Sequence, residues 1–415
     1  MPGADPSPLP PDQAPGQAPD QGDVRRRVVA VIPARGGSKG IPRKNLARVG
    51  GRTLVRRAAE ACRAAAGVDL VVVSTDDDEI AAEARAAGAH VVRRPDDLSG
   101  DTATSESAVA HALDVLAAPD TAADSPATDP EVVLLVQATS PFLWPDDVDA
   151  LVAAVDAGAD GAFTVTASHG FLWRRGPAGV EGVNHGVVPR QRRQDLDAQF
   201  LETGAAYAMR VDGFRRSGHR FFGTIEMIEM PHERSMEIDE PADLDLARDI
   251  APRLDRRWLA SRLPDPPAAI VFDFDGVLTD DRVTTDQDGH EMVTASRGDG
   301  MGVGLLRAAG VPMVVISKER NPVTAARCAK LGLEVQHGVD DKVAVLRGWL
   351  ADHDLDPARV VYVGNDVNDV ACMELVGCPV AVADAHPAAL AAATVVLSRP
   401  GGHGAVRELA DALLD

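Results

Sequence analysis

The sequence predicts an α/β protein made of two consecutive domains. Three observations lead there. The chain has 415 residues, which exceeds one typical core. Short apolar runs alternate with helical stretches from Val28 onward, and the same alternation starts afresh just after Pro264. Continuous apolar strands separated by helices indicate a mainly parallel sheet covered on both faces.

The first segment opens with VVAVI (Val28–Ile32), a strand that runs directly into a Gly-rich turn. Leu54–Ala66 reads as a helix ended by Gly67. DLVVVST (Asp69–Thr75) is the next strand, followed by a helix over Asp77–Ala87 closed by Gly88. Residues 118–130 form a polar connection. EVVLLVQATSP (Glu131–Pro141) is a further buried strand with a polar tip, where such folds place ligands. RLPDPP (Arg262–Pro267) reads as a linker. AAIVFDFDG (Ala268–Gly276) starts the second unit, which continues with VPMVVIS, RVVYVG and the weaker strand candidate CPVAVA. The boundary falls within about four residues of Pro264. The expected organisation is an extension over 1–23, a first domain over 24–262 and a second over 263–415.

Composition bounds the function. The hydrophobic fraction of 45% and charged fraction of 25% suit a globular protein. A formal net charge of −21 repels polyanions and argues against general nucleic-acid binding, while a local basic pocket can still take a small anion. No apolar run approaches the roughly 20 residues that span a bilayer. The first 23 residues lack a basic region followed by an apolar core, so no signal peptide is expected, and their Pro, Gly and Asp content predicts disorder. The four cysteines, Cys62, Cys328, Cys372 and Cys378, form no metal-like pattern, which points to a reducing cytoplasm. His169, His185 and His232 form no zinc signature.

ARGGSKGIPRKN (Ala34–Asn45) is the first chemical centre. Gly36, Gly37 and Gly40 allow a backbone path whose amides can surround phosphate oxygens. Arg35, Lys39, Arg43 and Lys44 add four cations. The spacing is neither the G-x-x-x-x-G-K-[ST] loop nor the G-x-G-x-x-G dinucleotide turn. A basic surface turn is the alternative. The strand before it and the acidic remainder of the chain favour an anion site. The loop resembles the nucleotide-binding signature of the N-acylneuraminate cytidylyltransferases. That resemblance continues in family order through VSTDDDEI (Val73–Ile80), QATSPF (Gln137–Phe142), RRQD (Arg192–Asp195) and MEIDEPADLDLA (Met236–Ala247).

The resemblance implies a Rossmann-like nucleotidyltransferase domain. In it the anomeric hydroxyl of an acidic sugar attacks the α-phosphate of CTP and pyrophosphate leaves. It implies that Arg35, Gly36, Gly37, Ser38, Lys39, Arg43, Lys44 and Asn45 hold the nucleotide, with Lys39 and Arg193 catalytic. Gln137, Thr139, Ser140, Arg193, Gln194, Thr203 and Tyr207 are the implied sugar contacts. Mg²⁺ is implied at Glu237 and Asp239, where the family commonly has Asp-x-Asp; residues i and i+2 of an extended segment share a face. Thr203 stands where an Asn is usual, exchanging an amide for a hydroxyl.

FDFDGVLTD (Phe272–Asp280) is the second centre. Asp273 and Asp275 lie on one side of an extended segment. The DxDGxxTD pattern resembles the haloacid dehalogenase superfamily. That resemblance implies that Asp273 attacks phosphorus, Asp275 serves as acid and then base, and Ser317 and Lys342 bind the phosphoryl group. Mg²⁺ is implied at this second site, with Asp273, Asp275, Asn365, Asp366 and Asp369 as candidate ligands. Residues 265–415 resemble the 3-deoxy-octulosonate-8-phosphate phosphatase branch through RGDGMG, AVADAHP and GGHGAVRE. That branch has a minimal cap and forms homotetramers.

Together the two resemblances imply activation of a sialic acid, N-acylated or deaminated, with a nonulosonate 9-phosphate as substrate of the second domain. The alternatives are CMP activation of 3-deoxy-manno-octulosonate, legionaminate or pseudaminate, and a second domain that serves only oligomerisation. The expected partners are CTP, the acidic sugar and a sugar phosphate, with no nucleic acid and no membrane.

Overall fold

In the computed structural model the structure describes residues 27–414, except 39, 101–102, 119–128, 178, 187, 190–191, 193 and 195. The expected extension over 1–23 and most of the polar connection lie outside the described residues.

The first domain is built on a seven-stranded sheet. From edge to edge its strands are Ile225–Glu229, Gly161–Ser168, Gln199–Arg210, Val132–Val136, Val28–Pro33, Leu70–Thr75 and His90–Arg93. Gln199–Arg210 runs antiparallel to both neighbours; the other pairings are parallel. Strand Val28–Pro33 is apolar throughout because its alternate residues enter two different cores. Val28, Ala30 and Ile32 pack on one face, Val29 and Val31 on the other. Pairing of Val31 with Val72 on one side and Leu135 on the other brings the ends of these three strands to one edge.

The first two helices are slightly shorter than the sequence predicts. The first covers Leu54–Ala64, because Asp149 takes the amides of Ala66 (3.2 Å) and Gly67 (2.7 Å) and draws the chain off the helical path. The second covers Asp78–Ala86, with Asp77 outside it as a cap that accepts from the Glu79 and Ile80 amides.

The second domain is a six-stranded, all-parallel sheet ordered Glu334–Gln336, Met313–Ile316, Ala269–Phe272, Val360–Gly364, Cys378–Ala381 and Val395–Val396. All three strand candidates after Ala269–Phe272 are strands. A hairpin of Thr279–Thr285 and Glu291–Ala295 stands between strand Ala269–Phe272 and helix Arg297–Ala308.

Helix Pro241–Arg262 joins the domains. Its Leu244, Ala247, Ala251 and Leu254 belong to the first core, whereas Leu259 belongs to the second. No helix among the described residues is long and apolar enough to cross a membrane.

Candidate active sites

The Gly-rich loop leaves strand Val28–Pro33 at the shared strand edge and folds back toward Lys44. Two of its glycines are required by close approach. A Cβ on Gly40 would lie 2.4 Å from the backbone oxygen of Asp239, and one on Gly36 would lie 2.9 Å from Asp77 Oδ2. Gly37 has open space around it. Lys44 Nζ donates to Ile238 O (2.9 Å) and Asp239 Oδ1 (3.1 Å), so the loop and the acidic segment meet. Asn45 is buried and donates to Arg35 O (3.0 Å), which pins the loop's first half to its second.

Around Glu237 the chain is extended, with Ile238 in the core and its amide on Thr139 O (2.9 Å). That alternation turns Glu237 and Asp239 away from the core. Thr139 Oγ1 donates to Glu237 Oε1 (3.0 Å). Burial and then the charge of Asp239 push the Glu237 carboxyl above its usual range. Two neighbouring acids, one of them raised by burial and by the other's charge, fit a divalent cation.

In the second domain, strand Ala269–Phe272 delivers Asp273 and Asp275 to the end of the sheet. Asp273 Oδ1 accepts from the Phe274 amide (2.7 Å) and lies 2.8 Å from Lys342 Nζ. Lys342 opens helix Lys342–Asp352 and also lies 2.8 Å from Asp369 Oδ1. Tyr362 donates to the same oxygen (2.8 Å), while Asp369 Oδ2 accepts from the Asn365 (2.9 Å) and Asp366 (3.2 Å) amides. Burial and the charge of Asp369 push Asp273 up, against the pull of Lys342. Burial, then Glu319 and Asp281, push Asp275 up to about 6.

A cavity of about 220 Å³ opens here, lined by Asp273, Asp275, Asp281, Ser317, Asn365 and Asp366 among others. Asn365 Oδ1 is buried and has no hydrogen-bond partner. Gly276, at φ +75°, makes room for the Asn365 side chain, because a Cβ would lie 1.9 Å from its Nδ2. An orphaned carbonyl oxygen among carboxylates fits a hard cation such as Mg²⁺.

Family comparisons agree with this division. A cytidylyltransferase family model matches residues 29–170 and a haloacid dehalogenase-like hydrolase model matches residues 316–409. N-acylneuraminate cytidylyltransferase A of Danio rerio is 31% identical over 402 residues, covering 94% of this chain and 89% of that protein. The Oncorhynchus mykiss N-acylneuraminate cytidylyltransferase is 32% identical over 406 residues, 95% of this chain and 90% of that one. The chain belongs to the N-acylneuraminate cytidylyltransferase family. Its C-terminal part is also 35% identical over 146 residues to a 3-deoxy-D-manno-octulosonate 8-phosphate phosphatase of Salmonella typhi, covering 35% of this chain and 78% of that protein.

Within this family frame, several expected site residues are engaged by other parts of the fold, and two are outside the described residues. Lys39 and Arg193 lie outside the described residues, and Gln194 is exposed. Arg43 pairs with Glu79 (2.8 Å) and Asp77 (3.3 Å), so its charge is answered within the fold. The Gly36 amide, expected for phosphate, donates to Asp76 Oδ1 (2.8 Å). Arg35 donates to Gly100 O (2.9 Å). Thr203 is buried, its hydroxyl 2.6 Å from that of Thr164, and so is not offered at a surface. Tyr207 is also buried; its hydroxyl donates to Glu202 and Arg220 lies 4.5 Å above its ring. Gln137 and Ser140 sit at the strand tip beside Thr139, with the buried Ser140 Oγ unpartnered. Both oxygens of Asp369, a candidate ligand, are engaged by Lys342, Tyr362 and the loop amides. Ser317 lines the cavity as expected.

Sequence reading passed over four residues. Asp76 holds Gly36, and Arg94, 8% exposed, donates to Ser74 Oγ (3.1 Å) and O (2.7 Å) at the same strand edge. Glu202 faces Tyr207, and Asp281 lines the second cavity. The available signal was position: Arg94 directly follows strand His90–Arg93, at the edge where ligands gather.

Proposed function

We propose that the chain transfers CMP from CTP to the anomeric hydroxyl of a sialic acid, N-acylated or deaminated, releasing pyrophosphate. The second domain hydrolyses a phosphorylated acidic sugar, a nonulosonate 9-phosphate. The observation that carries the first reading is the meeting of the cationic loop with the acidic segment, where Lys44 spans Ile238 O and Asp239 Oδ1. Cations at the loop hold the triphosphate, with Lys39 and Arg193 as catalytic residues. Thr139 orients the sugar side. The sugar oxygen bonds to the α-phosphorus as the bond to pyrophosphate breaks, and the hydroxyl proton is lost.

In the second site Asp273 Oδ1 is held by Lys342 and the Phe274 amide, which leaves Oδ2 to bond to phosphorus. Asp275, with its pKa raised to about 6, gives a proton to the leaving alcohol and then takes one from the water that releases phosphate. Ser317 and Lys342 stabilise the phosphoryl oxygens, and Asp369 holds Lys342 in place. Glu237 and Asp239 in the first site, and Asp273, Asp275 and Asn365 or Asp366 in the second, would hold Mg²⁺, which would supply charge neutralisation for the phosphates. We further take the enzyme to be a homotetramer of the cytoplasm. Its cysteines are all free and buried, which supports a reducing compartment.

The test is pyrophosphate release from the full chain with CTP and Mg²⁺, comparing N-acetylneuraminate, its deaminated analogue and 3-deoxy-manno-octulosonate. Turnover of the first two alone is expected. Turnover of the eight-carbon acid alone would move the reading to that pathway. For the second domain the Salmonella relative's name favours one competing substrate, so phosphate release from a nonulosonate 9-phosphate is measured against 3-deoxy-manno-octulosonate 8-phosphate. No release from either would reduce the domain to assembly.

A further inference from the structure

A second cavity, of about 260 Å³, lies in the seam between the domains. Its first-domain wall is cationic. Arg52, Arg56, Arg57, Arg63 and Arg85 line it against two carboxylates, Glu60 and Asp255. Those two acids are shared: Glu60 with Arg56 (2.6 Å) and Arg52 (3.4 Å), Asp255 with Arg57 (2.5 Å) and Arg52 (3.2 Å). Arg63 is held across the gap. Its guanidinium lies so close to Gly88 that a Cβ there would be 2.1 Å away, and it reaches Leu390 O at 3.5 Å.

The opposite wall does not answer this charge. The second domain offers Pro387, Leu390, Ala393, Thr394 and Val396, with no acid among them. Glu408 of that domain acts on Arg52 only through space, while its carboxylate accepts from the Ser398 and Arg399 amides. Donors are also in surplus, since Arg52 Nε and Trp258 Nε1 are buried without acceptors. Arg63 is exposed, and more arginines than carboxylates line the cavity, which leaves donors for an anionic ligand. In a chain of net charge −21 such a cluster is also a local reversal of sign.

We propose that this seam binds a small phosphorylated organic anion, with its phosphate on Arg56 and Arg63 and a flat body against Trp258 and Leu390. The cavity is near the lower end of ligand-site volumes, about 300 Å³, so the ligand is no larger than a nucleoside monophosphate. Such a ligand touches both domains and ties them together. The proposal is independent of the reading of the two active sites.

The probe is CMP, titrated into the full chain while tryptophan fluorescence is followed, with cytidine and inorganic phosphate as controls. A saturable component is expected with CMP. It should disappear in Trp258→Phe and weaken at least ten-fold in Arg56→Ala/Arg63→Ala, while pyrophosphate release and the melting temperature of the double variant stay unchanged. Cytidine should bind at least ten-fold more weakly than CMP. A CMP titration identical in wild type and the double variant overturns the proposal, as does cytidine binding as tightly as CMP. If Trp258→Phe does not fold, the double variant alone decides.

Discussion

Gly40 has no room for a side chain, because the Asp239 carbonyl would stand 2.4 Å from its Cβ. Gly40→Ala must therefore part the loop from the acidic segment. A shift of about 1 Å at a reacting centre can cost roughly a hundred-fold in rate. We expect pyrophosphate release to fall about ten- to a hundred-fold while phosphate release by the second domain stays at the wild-type rate; equal loss of both would mean a global defect. Asp273→Asn is the converse. It removes the nucleophile, and phosphate release should drop to background with pyrophosphate release intact. Asp369→Asn tests a different role. Phosphate release should fall because Lys342 loses its second carboxylate, yet Mg²⁺ should activate the variant at the same concentration as the wild type. A large rise in that concentration would make Asp369 a ligand. The placement of Lys342 beside Asp273 and of Ser317 in the second cavity agrees with what the haloacid dehalogenase resemblance implied. The inward turn of Thr203 was not legible in the sequence, since its cause is Thr164, 39 positions away in the chain.

At the scale of elements, the strands were legible because a doubly covered sheet forces continuous apolar runs, as in Val132–Val136, all five of which are buried. Helix ends were less so. What stops Leu54–Ala64 is Asp149, a residue from another helix. The ties that seat helix Pro241–Arg262 on helix Leu54–Ala64 were likewise invisible. Arg57, 8% exposed at its side chain, pairs with Asp255 at 2.5 Å, and also donates to Pro141 O at 2.7 Å. Burial pushes the Asp255 carboxyl up, but Arg57 and Arg52 outweigh it and hold its pKa below the ordinary value. A lowered carboxylate pKa contributes stability above the unfolded value, about 3.9, and loses it as pH falls through the folded value. Asp255→Ala should cost about 3–5 kcal/mol at neutral pH, because Arg57 is left without its charge partner. In denaturant titrations the gap between wild type and variant should shrink below about pH 4. A gap unchanged at pH 3 would exclude this ion pair as its source.

For the whole molecule, the Mg²⁺ proposed at each of the two acid clusters gives two metal requirements. Excess EDTA is expected to suppress both pyrophosphate and phosphate release, and added Mg²⁺ to restore both. A transferase indifferent to EDTA would remove Glu237 and Asp239 as ligands. The two-domain plan was readable from the second origin near Pro264. The seam was not, because its arginines come from a short strand and two separate helices that only the fold brings together.

Helix Pro241–Arg262 gives the chain an order of events. Synthesis runs from the N-terminus, and domains fold as they emerge. The first domain's core can close once Leu254 is available, but Leu259 and Leu263 find their neighbours only in strands made later. A ribosome partway through the second domain therefore carries a finished transferase with an apolar stub. Truncated messages should yield a protein that folds and then sticks to its copies, so the second domain acts as a late cover for the first whether or not it turns over a phosphate.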